Sequence, residues 1–104
     1  MKGKVVISGS SKLLTEVAYW KKHFEDIKNC DIFFLMNERK GTIEGYIGAS
    51  VFAELTYAVM TNIVENKNIK ILMLDMPSMI LFCYDEIVRW LDMGFVSFFK
   101  GEDL

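Results

Sequence analysis

The sequence predicts a small three-layer α/β domain built on a mainly parallel sheet of about four strands. Three observations predict it. Short apolar runs rich in branched and aromatic residues alternate with longer stretches whose apolar residues recur every three or four positions. Nearly every apolar run ends in a loop carrying Gly, Ser, Asn or Asp. Finally, 104 residues with 52% hydrophobic content supply one buried core and leave no room for a second, so residues 1–104 form a single domain.

The elements follow in order. Residues 4–8 form a short β-branched run, stopped by Ser8-Gly9-Ser10-Ser11, as in a buried strand feeding a tight turn and a helix. Over residues 12–28, Leu13, Val17, Trp20, Phe24 and Ile27 fall on one helical face, leaving Lys21, Lys22, Glu25 and Asp26 for water. Residues 31–36 are continuously apolar after Asp31, the pattern of an inner strand covered on both faces. Residues 38–48 are polar, carry Gly41, Gly45 and Gly48, and form the longest loop. A helix over 50–65 places Phe52, Leu55, Val59 and Ile63 on its core side, and Asn66 to Asn68 close it. Residues 69–74 make the next buried strand, 84–93 a third helix and 95–99 a last strand. Strands alternating with helices imply right-handed crossovers and the flavodoxin/Rossmann-like class, in which ligands bind at the carboxyl ends of the strands. Those ends are residues 8–11, 37–48 and 75–78, the last holding the single proline, Pro77.

Composition excludes several function classes. A net charge of -2, from 12 Lys and Arg against 14 Asp and Glu, gives no broad cationic surface for a nucleic acid. Cys30 and Cys83 lie in apolar surroundings without the close spacing of zinc or redox motifs, and are read as reduced core thiols. No metal site and no cofactor is expected. The apolar runs are too short to span a bilayer and no signal peptide is visible, so a cytoplasmic protein without membrane contact is expected.

Within the ligand edge, the junction from Tyr46 to Glu54 is the leading candidate, because a helix begins there directly after a glycine-bearing loop and its free amides favour an anion. Ser50, Glu54, Tyr57 and Thr61 follow helical spacing as a polar line on an otherwise apolar helix, which turns Glu54 toward a partly enclosed cleft. The competing explanation is an acid near a helix start that merely offsets the dipole, worth at most about 1 kcal/mol. The Ser8 to Lys12 turn has hydroxyls and amides for a phosphate but lacks the spacing of a P-loop or dinucleotide fingerprint, so an ordinary helix cap explains it better. His23, the only histidine, is either an exposed helical residue or a proton carrier near neutral pH. The expected ligand contacts are Ser8, Gly9, Ser10, Asn37, Tyr46, Gly48 and Ser50.

Three blocks, Ile7-Ser8-Gly9-Ser10, then residues 29–35 from Asn29 through Leu35, then Phe52-Ala53-Glu54-Leu55-Thr56-Tyr57-Ala58, resemble the nucleoside deoxyribosyltransferase family. Tyr46-Ile47-Gly48-Ala49-Ser50 is most similar to a short, archaeal-type, uncharacterised branch of it. The resemblance covers most of the chain, minus the family's usual second strand, absent between Leu14 and Tyr19. It implies cleavage of the bond between a deoxyribose and its base by a glutamate nucleophile, whose matching position is Glu54. The family's acidic or hydroxyl residue six positions earlier falls on Gly48, an aspartate falls on His23, and the first-strand tyrosine falls on Val6.

Two hypotheses follow. In one, the chain is a hydrolase or transferase acting on a nucleoside or nucleotide, with Glu54 as nucleophile and His23 as proton carrier. In the other, it is a catalytically inactive nucleotide-binding or scaffold domain of the same fold. A homodimer is expected, since so small a sheet buries limited surface and residues 79–82, Trp90, Phe98 and Phe99 offer apolar material for a partner.

Overall fold

A computed structural model describes residues 3–9 and 17–103. Its elements are β1 (Val5–Ser8), α1 (Val17–Lys28), β2 (Ile32–Leu35), α2 (Ala49–Glu65), β3 (Lys70–Met73), α3 (Tyr84–Met93) and β4 (Ser97–Phe98), followed by a 3-10 turn at Gly101–Asp103. The four strands form one sheet in the order β1-β2-β3-β4, and every pairing is parallel. A compact α/β fold on a parallel four-strand sheet is therefore what the alternating pattern produces.

β2 lies between β1 and β3, and all four of its residues are buried, as its unbroken apolar run requires. Register sets Val6 beside Phe33 and Phe33 beside Ile71, and likewise Ser8 beside Leu35 and Leu35 beside Met73. Side chains of paired residues share a sheet face. That face carries the main core, joined by Ile27 of α1, Leu55, Ala58 and Val59 of α2, and Ile87 and Trp90 of α3. On the opposite face Ile32, Phe34 and Leu72 form a second cluster, against which Val5, Met36, Leu74 and Phe99 pack. Phe99 lies just beyond β4 with its ring 4.9 Å from that of Phe34.

Sequential strand order moves each crossover the same way across the sheet, and crossovers of one hand then deliver their helices to one face. α1 and α2 consequently lie side by side, with the rings of Phe24 and Tyr57 meeting edge to face at 5.1 Å and Lys28 paired with Glu65 at 3.2 Å. The helix ends are exposed where the periodicity predicts core: Val17, Trp20 and Ile63 are 76%, 45% and 45% accessible. Strand length explains this. Four strand residues span roughly 13 Å, whereas the 12 and 17 residues of α1 and α2 run about 18 and 25 Å, so the helices overhang the sheet.

Cys30 and Cys83 are buried, unpaired thiols. Burial pushes Cys30 up to about 11, so it stays a thiol at neutral pH.

The loop between β2 and α2 is fastened at Gly45, whose φ is +60° and whose missing Cβ would sit 2.1 Å from the Met76 carbonyl oxygen. Neither the backbone angle nor the adjoining main chain admits a side chain there. Gly45→Ala should therefore cost about 1–3 kcal/mol, read as a lowered urea midpoint with an unchanged slope; an unaltered midpoint would show that the loop relaxes freely.

Candidate active site

Parallel register brings the carboxyl ends of β1, β2 and β3 to one edge, at Ser8, Leu35 and Met73. Alternation along β1 points Val6 and Ser8 to the helix-bearing face, so the last strand residue presents a hydroxyl to α2 where an apolar group would ordinarily pack. Above it, the second turn of α2 supplies Glu54.

Glu54 is 7% exposed and Ser8 2%. The Ser8 hydroxyl donates to Glu54 Oε1 at 2.7 Å. His23, on the neighbouring α1, brings Nε2 to the same oxygen at 2.9 Å, with a fifth of its side chain accessible. An ionised carboxylate only accepts, so this contact requires the proton on Nε2. Three elements thus converge on one carboxylate oxygen. The other oxygen, Oε2, accepts no hydrogen bond among the described residues, and no fully enclosed side-chain polar atom there lacks a partner, so Oε2 keeps a path to solvent.

Glu54 does not have the placement of an acid that merely offsets the helix dipole. A residue that only offsets a helix dipole stands in the first turn and faces water, whereas Glu54 lies in the second turn, enclosed between two helices and a strand. His23 likewise proves to be a partner of Glu54 rather than an isolated surface residue. Of the polar line on α2, Thr61 is buried, Tyr57 half-buried and Ser50 exposed.

The remaining expected contacts are distributed differently. Asn37 is 1% exposed, with Oδ1 accepting from the Asp75 amide at 2.9 Å and Nδ2 donating to the Asp75 carbonyl at 2.7 Å. It ties the chain after β2 to the chain after β3, and both polar atoms of its side chain are engaged in that link. Gly9 has φ +105° and would place a Cβ 2.6 Å from the Met36 carbonyl oxygen, which explains glycine there without any ligand. Gly48 is the N-cap of α2 and offers no side-chain bond to the first-turn amides; the Phe52 amide donates to its carbonyl at 2.9 Å. Tyr46 is half-buried, with the Lys40 ammonium 4.9 Å from its ring centroid. No side-chain hydrogen bond joins Tyr46 or Ser50 to Glu54 among the described residues. Ser10, Ser11 and Lys12 lie outside the described residues.

Two contacts depend on the folded arrangement of the elements. Ser8, expected among the ligand contacts, also hydrogen-bonds Glu54, a pairing whose only signal in the sequence is the core-facing parity of Ser8 with Val6. Asn62, which exchanges two hydrogen bonds of 2.9 Å with the backbone of Ile69, closes α2 onto β3. A depression of about 360 Å³ lined by Asn62, Lys67, Asn68, Lys70, Gly94 and Ser97 opens at the opposite, amino end of β3 and β4, away from Glu54.

Among the described residues no three His, Cys, Asp or Glu side chains converge as a metal site would require, and no helix is long and apolar enough to cross a membrane. The carboxylate with its two donors is suited to nucleophilic or acid–base chemistry of its own. No family model, no curated protein and no solved structure matches the chain.

Proposed function

We propose that this protein cleaves or transfers the N-glycosidic bond of a nucleoside or nucleotide, with Glu54 as nucleophile and His23 as proton carrier. The observation that carries the reading is the Glu54 carboxylate itself, nearly enclosed at the ligand edge of a parallel sheet and held by a histidine and a serine. The resemblance of residues 52–58 to the glutamate block of nucleoside deoxyribosyltransferases supports the same reaction class.

The chemistry parallels a retaining glycosidase. A carboxylate oxygen bonds to the anomeric carbon as the bond to the base breaks, and the departing electron pair is protonated on the base. Water or a second base then takes the sugar. A histidine 2.9 Å from the carboxylate places a group able to give or take a proton beside the nucleophile.

A homodimer belongs to this proposal. Met79, Ile80 and Phe82 are 77%, 75% and 70% exposed on the loop after β3, an apolar stretch that a second copy would cover. Trp90 is instead buried, with its ring stacked 5.8 Å from Phe52, and Phe99 packs on Phe34, so these two belong to the core.

The second reading, a binding or scaffold domain without turnover, draws on Gly48, which brings no acid or hydroxyl to the start of α2. Incubation with a panel of deoxynucleosides and their monophosphates separates the two. Free base in the wild-type reaction supports the enzyme. Ligand-induced thermal stabilisation without base release supports the binding domain, and neither response from any panel member would dismiss both.

A further inference from the structure

The two oxygens of a free carboxylate exchange by rotation about its last bond, and a nucleophile in rapid exchange is poorly aimed. Glu54 is not in that condition, because both donors fall on Oε1: Ser8 Oγ at 2.7 Å from β1 and His23 Nε2 at 2.9 Å from α1. Ser8 is itself fixed, being 2% exposed on a strand whose end is paired by the Met36 amide donating to the Ser8 carbonyl at 2.9 Å.

We propose that Ser8 is a positioning residue for Glu54 and not a substrate contact: with His23 it pins Oε1 as the spectator oxygen and leaves Oε2 to form the bond to the sugar. This inference rests on the reading of Glu54 as nucleophile, and assigns to that site which oxygen reacts and which residue selects it.

The bonds balance as follows. An Oε2 lone pair forms the bond to the anomeric carbon while the carbon–nitrogen bond breaks, its electron pair leaves with the base, and a proton reaches the base from solvent or an imidazolium. Oε1 becomes the ester carbonyl, still facing the Ser8 hydroxyl. Water oxygen then bonds to the anomeric carbon, the carbon–Oε2 bond breaks with its pair returning to the carboxylate, and the water proton passes to a base. In that second step negative charge returns to a carboxylate whose Oε1 already has a donor in place, so the Ser8 hydroxyl stabilises the leaving group as an oxyanion donor does. Its effect therefore falls on release of the sugar more than on its capture.

Ser8→Ala is expected to lower kcat about tenfold, the size expected of one hydrogen bond to a charged group, with KM falling as the sugar-bound enzyme accumulates. Ser8→Thr, which keeps the hydroxyl, should recover most of the rate. A second measurement needs no substrate: isotope-edited infrared spectroscopy of carbon-13 glutamate, in which Glu54→Gln identifies the Glu54 band. Ser8→Ala should shift that band and Ser8→Thr should restore it. An unshifted band overturns the positioning role, and so does wild-type kcat in Ser8→Ala. Absence of base release by the wild type would defeat the nucleophile reading and the kinetic role with it, while the infrared band would still decide whether Ser8 fixes Oε1.

Discussion

Glu54→Gln is expected to lower the rate of base release by roughly 10⁴-fold or more, the scale on which removal of a covalent nucleophile acts. Glutamine keeps the length and shape of the side chain, and its carbonyl oxygen still accepts from Ser8, so the buried contact at 2.7 Å survives. His23 can also donate to that carbonyl. The fold should accordingly remain, with a circular-dichroism spectrum and a urea unfolding slope matching the wild type. Loss of activity with the fold intact assigns the effect to the carboxylate's chemistry. Base release within a factor of two of wild type would remove Glu54 from the reaction.

The largest effect on stability should come from Phe33→Ala. Phe33 is fully buried at the centre of β2, between Val6 and Ile71, and belongs to the cluster that α1, α2 and α3 share. Truncation forfeits the ring's transfer free energy and leaves a void that four-residue strands on both sides cannot close, at a cost of about 3–5 kcal/mol. Small domains have about 5–15 kcal/mol in all. Urea titration should thus show the midpoint falling by roughly a fifth or more, up to a variant already unfolded without denaturant. A midpoint close to wild type would mean that the core is looser than its burial indicates.

Periodicity carried the fold because this chain states it strongly. β2 and β3 are apolar runs covered on both sides, and α3 spans the expected residues 84–93, closed by Gly94 in the left-handed region with its amide donating to the Leu91 carbonyl at 3.2 Å. The edges were less legible, because a hydrophobic stripe says which way a helix faces and not how far the sheet beneath it extends. Val17, Trp20 and Ile63 obey the stripe and still overhang.

The site divided in the same manner. Glu54 was legible as a polar residue on an apolar helix beside a glycine loop. His23 was legible as a candidate proton carrier but its contact with Glu54 was not, since the pairing of α1 with α2 that brings it within 2.9 Å depends on strand order, which residue spacing along the chain does not encode. The role of Asn37 was hidden for a local reason. A residue at the end of a strand can face a ligand or tie neighbouring loops, and only its bonds to the Asp75 backbone reveal which.

Nucleophilic catalysis by Glu54 requires that the enclosed carboxylate become bonded to a sugar. The most direct measurement is the intact mass of the protein quenched during reaction with a deoxynucleoside, followed by mapping of the modified peptide. Wild-type protein should carry one added sugar, less water, at Glu54, increased in Ser8→Ala and absent in Glu54→Gln. Base released at full rate with no added mass at any point in the time course, or a sugar found on another residue, would contradict it.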